Sequence, residues 1–210
     1  MSSTPSQLNI GSGRFFFLDY LNVDIHPQWE PDILCDITKP LFDDQKEHTF
    51  ESARFGTITL KEACMDKIIA WHILEHLPDL VCAMTNMLKL LKTGGILHIR
   101  VPYELSLGAW QDPTHVRAFN ENSWIYYTQW FWYLDWTNHR FQEQNISYVP
   151  SEIGRKMLAR GAKIERLLLT PRAIDEMDIT LQKIEVSAEE RAVLTQKKVH
   201  KIQSTEIYKR

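Results

Sequence analysis

The chain has 210 residues and sets 24 Lys and Arg against 27 Asp and Glu, a net charge of −3, which suits one domain with an adequate core. That balance gives no electrostatic reason to expect nucleic acid or an acidic membrane surface as partner, and no apolar run is long enough to span a bilayer. The first six residues lack the basic and apolar regions of a signal peptide, and Cys35, Cys64 and Cys82 lack paired spacing, so the expected setting is a reducing, cytoplasmic one.

The first element is a short apolar strand, residues 8–10, that runs into Gly11-Ser12-Gly13. Closely spaced glycines let backbone N–H groups approach a ligand that a side chain would exclude. Two further apolar strands, 21–24 and 33–36, each end in an acid, Asp24 and Asp36. An acid at a strand tip can accept hydrogen bonds from ribose hydroxyls. The ordered set of three strand tips points to a nucleoside-type cofactor.

Next come a polar stretch expected as an exposed loop (42–51), a turn or short extended piece (54–60) and a short helix (61–65). Residues 67–71 are continuously apolar after Lys67, as in a buried parallel strand. Leu80, Met84, Met87, Leu88 and Leu91 fall on one face of an amphipathic helix. Pro78 is expected in its first turn and Gly94 at its end. Residues 96–101 form the next strand, stopped by Pro102, and strand–helix–strand with short connections makes a parallel crossover. A helix over 151–159 follows, then strands over 162–169 and 179–186, joined through Thr170-Pro171-Arg172 as an antiparallel edge pair. Residues 1–186 read as one domain and 187–210 as a charged tail, a solvated helix or frayed terminus.

Four motifs, L-N-I-G-S-G at 8–13, N-V-D-I at 22–25, A-W-H-I-L-E-H-L-P at 70–78 and L-L-K-T-G-G-I-L-H-I-R-V-P at 90–102, resemble the class I S-adenosylmethionine-dependent methyltransferases, small type-11-like members with a short first loop. The resemblance implies an α/β, Rossmann-like, doubly wound sheet of seven strands, mostly parallel with one antiparallel edge strand. It implies S-adenosylmethionine across the carboxyl ends of the strands. Gly11, Ser12 and Gly13 would pass beneath its methionine and ribose portions, Asp24 would accept from the ribose hydroxyls, Ile25 would lie against the adenine, and Asp36 would bond the adenine amino group. Trp71 and His72 would line the cofactor floor and the active-site entry. Two departures stand out. Asn9 occupies the place of the family's usual acid. Only ten residues separate Gly13 from Asp24, too few for a full helix with two loops, so Phe15, Phe16, Phe17 and Tyr20 are expected to fill that space.

Residues 72–76 also spell H-x-x-E-H, the string of inverted zinc peptidases. That chemistry needs both histidines on one helix, and here a strand leads in and Pro78 follows, so no metal is expected. Glu75 and His76 read either as loop-bonding groups or, for His76, as a neighbour of the reacting methyl group. Asp112, His115 and Arg117 follow the fifth strand, where this fold places acceptor-binding residues. They could orient or deprotonate an acceptor, or could brace an Asp-Pro turn. Within the expected lid region, 103–150, eight rings crowd residues 124–136. Half are expected in the core and the rest in a lid or homodimer interface.

The function expected is methyl transfer to oxygen or nitrogen of a small or medium-sized acceptor. The alternatives are a non-catalytic binding or assembly module of the same fold, or a modifier of nucleic acid, which the sparse basic residues make the weaker.

Overall fold

A computed structural model describes residues 4–42 and 46–193. The expectations for 43–45, within the polar loop, and for 194–210, within the tail, fall outside the described residues. Seven strands form the main sheet: β1 (Gln7–Ile10), β2 (Leu21–Asp24), β3 (Ile33–Leu34), β6 (Met65–Trp71), β7 (Leu91–Pro102), β8 (His139–Pro150) and β9 (Ile174–Glu185). Their order is β3-β2-β1-β6-β7-β9-β8. β1, β2, β3, β6 and β7 pair in parallel, and β9 runs antiparallel to both β7 and β8. The antiparallel strand therefore sits one place in from the edge, and β8 forms the edge itself.

The central strands are short and apolar because both their faces are covered: Leu8, Ile10, Leu21, Val23, Ile68 and Ala70 are all buried. α1 (Leu80–Leu90) covers the crossover from β6 to β7 with Met84, Met87 and Leu88 turned inward. Asp79 caps it by accepting from the Cys82 N–H at 2.9 Å, so Pro78 precedes the cap rather than entering the first turn. The helix also stops at Leu90, and Gly94, at φ +85°, lies within β7 rather than at the helix end.

Several sequence expectations give way. Residues 47–61 form a small antiparallel hairpin, β4 (Glu47–Ser52) with β5 (Gly56–Lys61), where a loop was expected over the first part. The expected helix at 61–65 is a turn, with Ala63 at φ +55° and Met65 already in β6. Five uncapped residues cannot offset the cost of nucleating a helix. Residues 162–169 were expected as a strand and instead hold α5 (Ile164–Leu168), packed through Leu167. A short apolar run satisfies either period. The true partner of β9 is β8, whose middle, Gln142 to Asn145, is polar and exposed in the manner of an edge strand.

The shortened first crossover carries no helix. Polar groups hold most of it, and Phe17 adds ring contacts to Tyr20 and Trp71. Asn9 donates to the Phe15 carbonyl (2.8 Å) and to Asn22 Oδ1 (2.9 Å). Asn22 in turn donates to the carbonyls of Phe17 and Tyr20 and to Asp32. Arg54 clamps the far side: Nε and Nη2 donate to the two oxygens of Asp32 at 2.8 and 2.9 Å, and Nη2 also reaches the Tyr20 carbonyl at 2.7 Å. Phe17 packs edge-on against Trp71, but Phe15 and Phe16 are exposed. Sequence reading had assigned this space to rings; a buried lattice of Asn, Asp and Arg takes most of it.

Of the eight rings at 124–136, Trp124, Tyr127, Phe131 and Trp136 are buried, while Tyr126, Trp130 and Tyr133 are exposed. α3 (Ile125–Thr128) and flanking single turns point them in several directions. The β8–β9 connection begins with α4 (Glu152–Ala159), capped by Ser151. A Cβ on Gly154 would meet the Ala173 carbonyl oxygen at 2.0 Å. Gly154→Ala is therefore expected to lose about 1–3 kcal/mol, read as a lower urea midpoint with an unchanged m-value.

Candidate functional site

The hollow at the carboxyl ends of β1, β2, β3 and β6 begins with the glycine bend. The N–H groups of Gly11 and Ser12 both donate to the Val23 carbonyl, at 2.8 and 3.0 Å, folding the bend over the tip of β2. Gly11 sits at φ +68°, and a Cβ there would fall 2.5 Å from Ile73; no other residue fits. Asp24, only 8% exposed, accepts from the Gly13 N–H through Oδ2 (2.8 Å) and from the His26 N–H through Oδ1 (2.9 Å). Both oxygens are thereby fixed in direction, each with a lone pair to spare. Asp36 accepts from the Thr38 N–H and hydroxyl at 2.9 and 2.6 Å. Asn86 on α1 holds the following loop by donating to the Ile37 and Lys39 carbonyls.

Gly11, Asp24 and Asp36 border a cavity of about 620 Å³ together with Ile25, Ile37 and Ile73, within the usual size for a small-molecule site. Two carboxylates on one rim facing apolar walls suit a flat heterocycle joined to a diol. The residues present fit an adenosine group.

A second cavity, about 680 Å³, is polar and bordered by Arg14, His72, Glu75, Asp112, His115 and Glu176. His72 and His76 border both cavities. His72 holds φ +53° at the end of β6, a strained conformation for a residue with a Cβ. Its Nδ1 lies 3.6 Å from Glu75 Oε1 and its Nε2 3.4 Å from Glu176 Oε1. Glu75, seconded by Glu176, raises the His72 pKa above the ordinary imidazole value despite burial. His76 Nδ1 lies 2.9 Å from the Thr114 hydroxyl oxygen, and that hydroxyl donates to Asp112 at 2.7 Å. The His115 ring meets the His76 ring edge-on, centroids 4.6 Å apart, with its Nδ1 3.0 Å from the Ala109 carbonyl.

The structure thus brings Gly11, Asp24, Ile25, Asp36, His72 and His76 to one hollow, and Asp112 and His115 to its neighbour. Ser12 and Gly13 shape the bend without bordering the hollow. Trp71, expected on the cofactor floor, is turned away: it packs on Phe17, lies under Arg100 and donates to His98. Arg117 braces the turn by donating to the Leu77 and Pro78 carbonyls. Asn9 does not border the hollow, its amide being committed to the crossover. Thr114 and Glu176 were missed. The first was legible as D-P-T, a pattern that turns a hydroxyl back onto the acid. Glu176, on a distant strand, carried no local signal.

Residues 8–99 match the family model for a methyltransferase domain. No curated protein matches the chain. Among solved structures, the chain is similar to a SAM-dependent methyltransferase from Archaeoglobus fulgidus, at 16% identity and TM-score 0.53, covering 86% of each chain. It is similar to a putative methyltransferase of Haloferax volcanii solved with the Trm112 activator, at 11% identity and TM-score 0.51, covering 87% of this chain and 84% of that one. It is also similar to the [4+2]-cyclase SpnF, at 12% identity and TM-score 0.50, covering 85% and 74%. Residues 8–99, the stretch that builds the glycine bend and both acid-tipped strands, are similar to a methyltransferase domain, and the sheet around them has the fold of these solved S-adenosylmethionine-dependent methyltransferases.

Proposed function

We propose that this chain transfers the methyl group of S-adenosylmethionine to an oxygen or nitrogen of a small or medium-sized acceptor held in the second cavity. The carrying observation is the meeting of the two cavities at His72 and His76. In this reading Asp24 and Asp36 hold the adenosine part, while Ile25 and Ile37 wall it off from water. The bound cofactor supplies an electrophilic methyl group. His72, kept protonated to higher pH by its two glutamates, orients an anionic or hydrogen-bond-accepting part of the acceptor. His76 and His115 handle its reacting end, and Asp112 positions His76 through Thr114.

His115→Ala is expected to slow turnover about 100-fold, the low end of what losing a group at the reacting end costs, with S-adenosylhomocysteine affinity changed less than twofold by calorimetry. Incubating cell extract with the protein and an isotope-labelled methyl donor, followed by untargeted mass spectrometry, tests the activity. A labelled small molecule, absent without the protein, is the expected result. The non-catalytic alternative is favoured by Asn9, whose commitment to the crossover removes it from ammonium capture; cofactor binding with no labelled product would support it. The fold leaves the reaction open, since it also carries the cyclase. For a nucleic-acid substrate the ring cluster offers little: Arg140, over the buried Phe131 ring, is paired with Glu190 at 2.8 Å.

We take residues 1–186 as the methyltransferase domain, with 187–210 as its tail. None of the eight rings at 124–136 borders either cavity among the described residues, so the proposed use of the exposed ones is a homodimer contact rather than a lid. Among the described residues no helix is long and apolar enough to cross a membrane, and none of the three cysteines is in a disulfide. We place the reaction in the cytoplasm, where thiols stay reduced; burial raises Cys35 to about 11 and leaves its thiol inert.

A further inference from the structure

We propose that Glu75, His76 and His115 form a site for one divalent transition-metal cation on the wall between the two cavities. One potential ligand atom from each residue lies within 4.8 Å of the other two. Glu75 is 1% exposed, and neither of its carboxylate oxygens has a hydrogen-bond partner. Its closest charged neighbour, His72 Nδ1, stands at 3.6 Å, beyond hydrogen-bond range. A buried carboxylate without hydrogen bonds is costly, and a cation between it and the two rings offsets that cost.

Hydrogen bonds already fix both imidazoles for ligation. Thr114 gives its hydroxyl proton to Asp112, so its oxygen accepts from His76 Nδ1–H and leaves Nε2 as the lone-pair nitrogen. The Ala109 carbonyl can only accept, so His115 Nδ1 carries its proton and Nε2 is again the free donor of a lone pair. Metal-bound histidines are oriented by just such partners on the opposite nitrogen. Two imidazoles and one carboxylate suit Zn²⁺, Fe²⁺ or Co²⁺ better than Mg²⁺ or Ca²⁺, which prefer oxygen donors. Zinc bonds of about 2.0–2.2 Å require ligand atoms about 3.4 Å apart in a tetrahedron, so the side chains close by about an ångström on binding. The ligands are not the histidine pair spelled by H-x-x-E-H, since His72 is engaged with Glu176.

Three protein ligands leave coordination positions open to an oxygen or nitrogen of a small molecule in the second cavity, all three residues bordering it. That use of the cation rests on the methyl-transfer reading; its binding does not. The full chain, stripped with chelator and free of cofactor, is titrated with Zn²⁺ by calorimetry and with Co²⁺ by visible absorption. One equivalent of each metal is expected, with d–d bands of a low-symmetry nitrogen–oxygen site. Glu75→Gln and His115→Ala should each weaken Zn²⁺ binding at least 10-fold, and Thr114→Val about 10-fold through the His76 ring. Circular dichroism without metal identifies any variant that misfolds, and Glu75→Gln, which removes a buried charge, keeps the test open if His115→Ala does. Binding well below one equivalent, or Zn²⁺ affinity unchanged in both Glu75→Gln and Thr114→Val, overturns the site. Titrating S-adenosylhomocysteine into the same metal-free protein separates this failure from failure of the cofactor reading.

Discussion

Asp24→Ala is expected to weaken S-adenosylhomocysteine binding about 100-fold. Hydrogen bonds to a charged acceptor contribute about 1.5–3 kcal/mol each, and every 1.4 kcal/mol is about a tenfold change in affinity. The carboxylate is pre-aimed by the Gly13 and His26 N–H groups, so little ordering cost falls on ligand binding. The same substitution frees the Gly13 N–H, so part of the loss comes from a slacker bend. Asp24→Asn separates the two contributions: its single amide oxygen can hold Gly13 or His26, and affinity should fall between wild type and alanine. Calorimetry at fixed temperature, with thermal unfolding of each variant alongside, checks this. Equal affinity for wild type and Asp24→Ala would remove Asp24 from the site.

The largest stability effect is expected at Arg54→Ala. Asp32 is buried, and Arg54 satisfies both its oxygens while pinning the Leu18 and Tyr20 carbonyls. Breaking a buried pair from one side costs about 3–5 kcal/mol. The Arg54 side chain is 25% exposed, so water compensates in part, and about 2–4 kcal/mol is expected. For a chain of this size that lowers Tm by about 5–15 °C. Burial pushes the Asp32 carboxyl up, but Arg54, with hydrogen bonds from Asn22 and Ser52, holds it below the usual carboxylate range. A carboxyl depressed in the folded state adds stability above its unfolded pKa of about 3.9 and loses it as pH falls through the folded value. The difference in Tm between wild type and Arg54→Ala should accordingly narrow below about pH 4. Because Arg54 holds the crossover beneath the glycine bend, S-adenosylhomocysteine affinity should fall as well.

The contrast between these two residues shows what was legible in the sequence. Asp24 announces itself: an acid ends a four-residue apolar strand that follows a strand ending in glycines, and local pattern alone places all three together. Arg54 does not. It lies 22 positions from Asp32, on a turn whose neighbours read only as polar, and long-range polar pairing leaves no periodic trace. The same division runs through the fold. β1, β2, β6 and α1 follow from continuous or helical apolar runs, whereas the edge strand β8 hides behind Gln142, Glu143 and Gln144 because one of its sides faces water. α5 was misread because five residues of Ile-Glu-Arg-Leu-Leu satisfy a strand and a helix alike.

In the candidate site, His76, Asp112 and His115 stand out in the sequence by chemistry and position, and all three border one cavity. What the string H-I-L-E-H could not show is direction. A backbone at φ +53° swings His72 toward Glu176, and the following single turn, Leu74–His76, buries Glu75 beside His76. Arg117 has the right chemistry for acceptor handling, and its Nη2 donates to two carbonyls on the neighbouring loop.

A crystal structure of the protein with S-adenosylhomocysteine tests most directly whether the hollow is a cofactor site. The ribose hydroxyls should lie within hydrogen-bond distance of Asp24, with the adenine beside Ile25 and its amino group near Asp36. A ligand bound elsewhere, or none at saturating concentration, would contradict it.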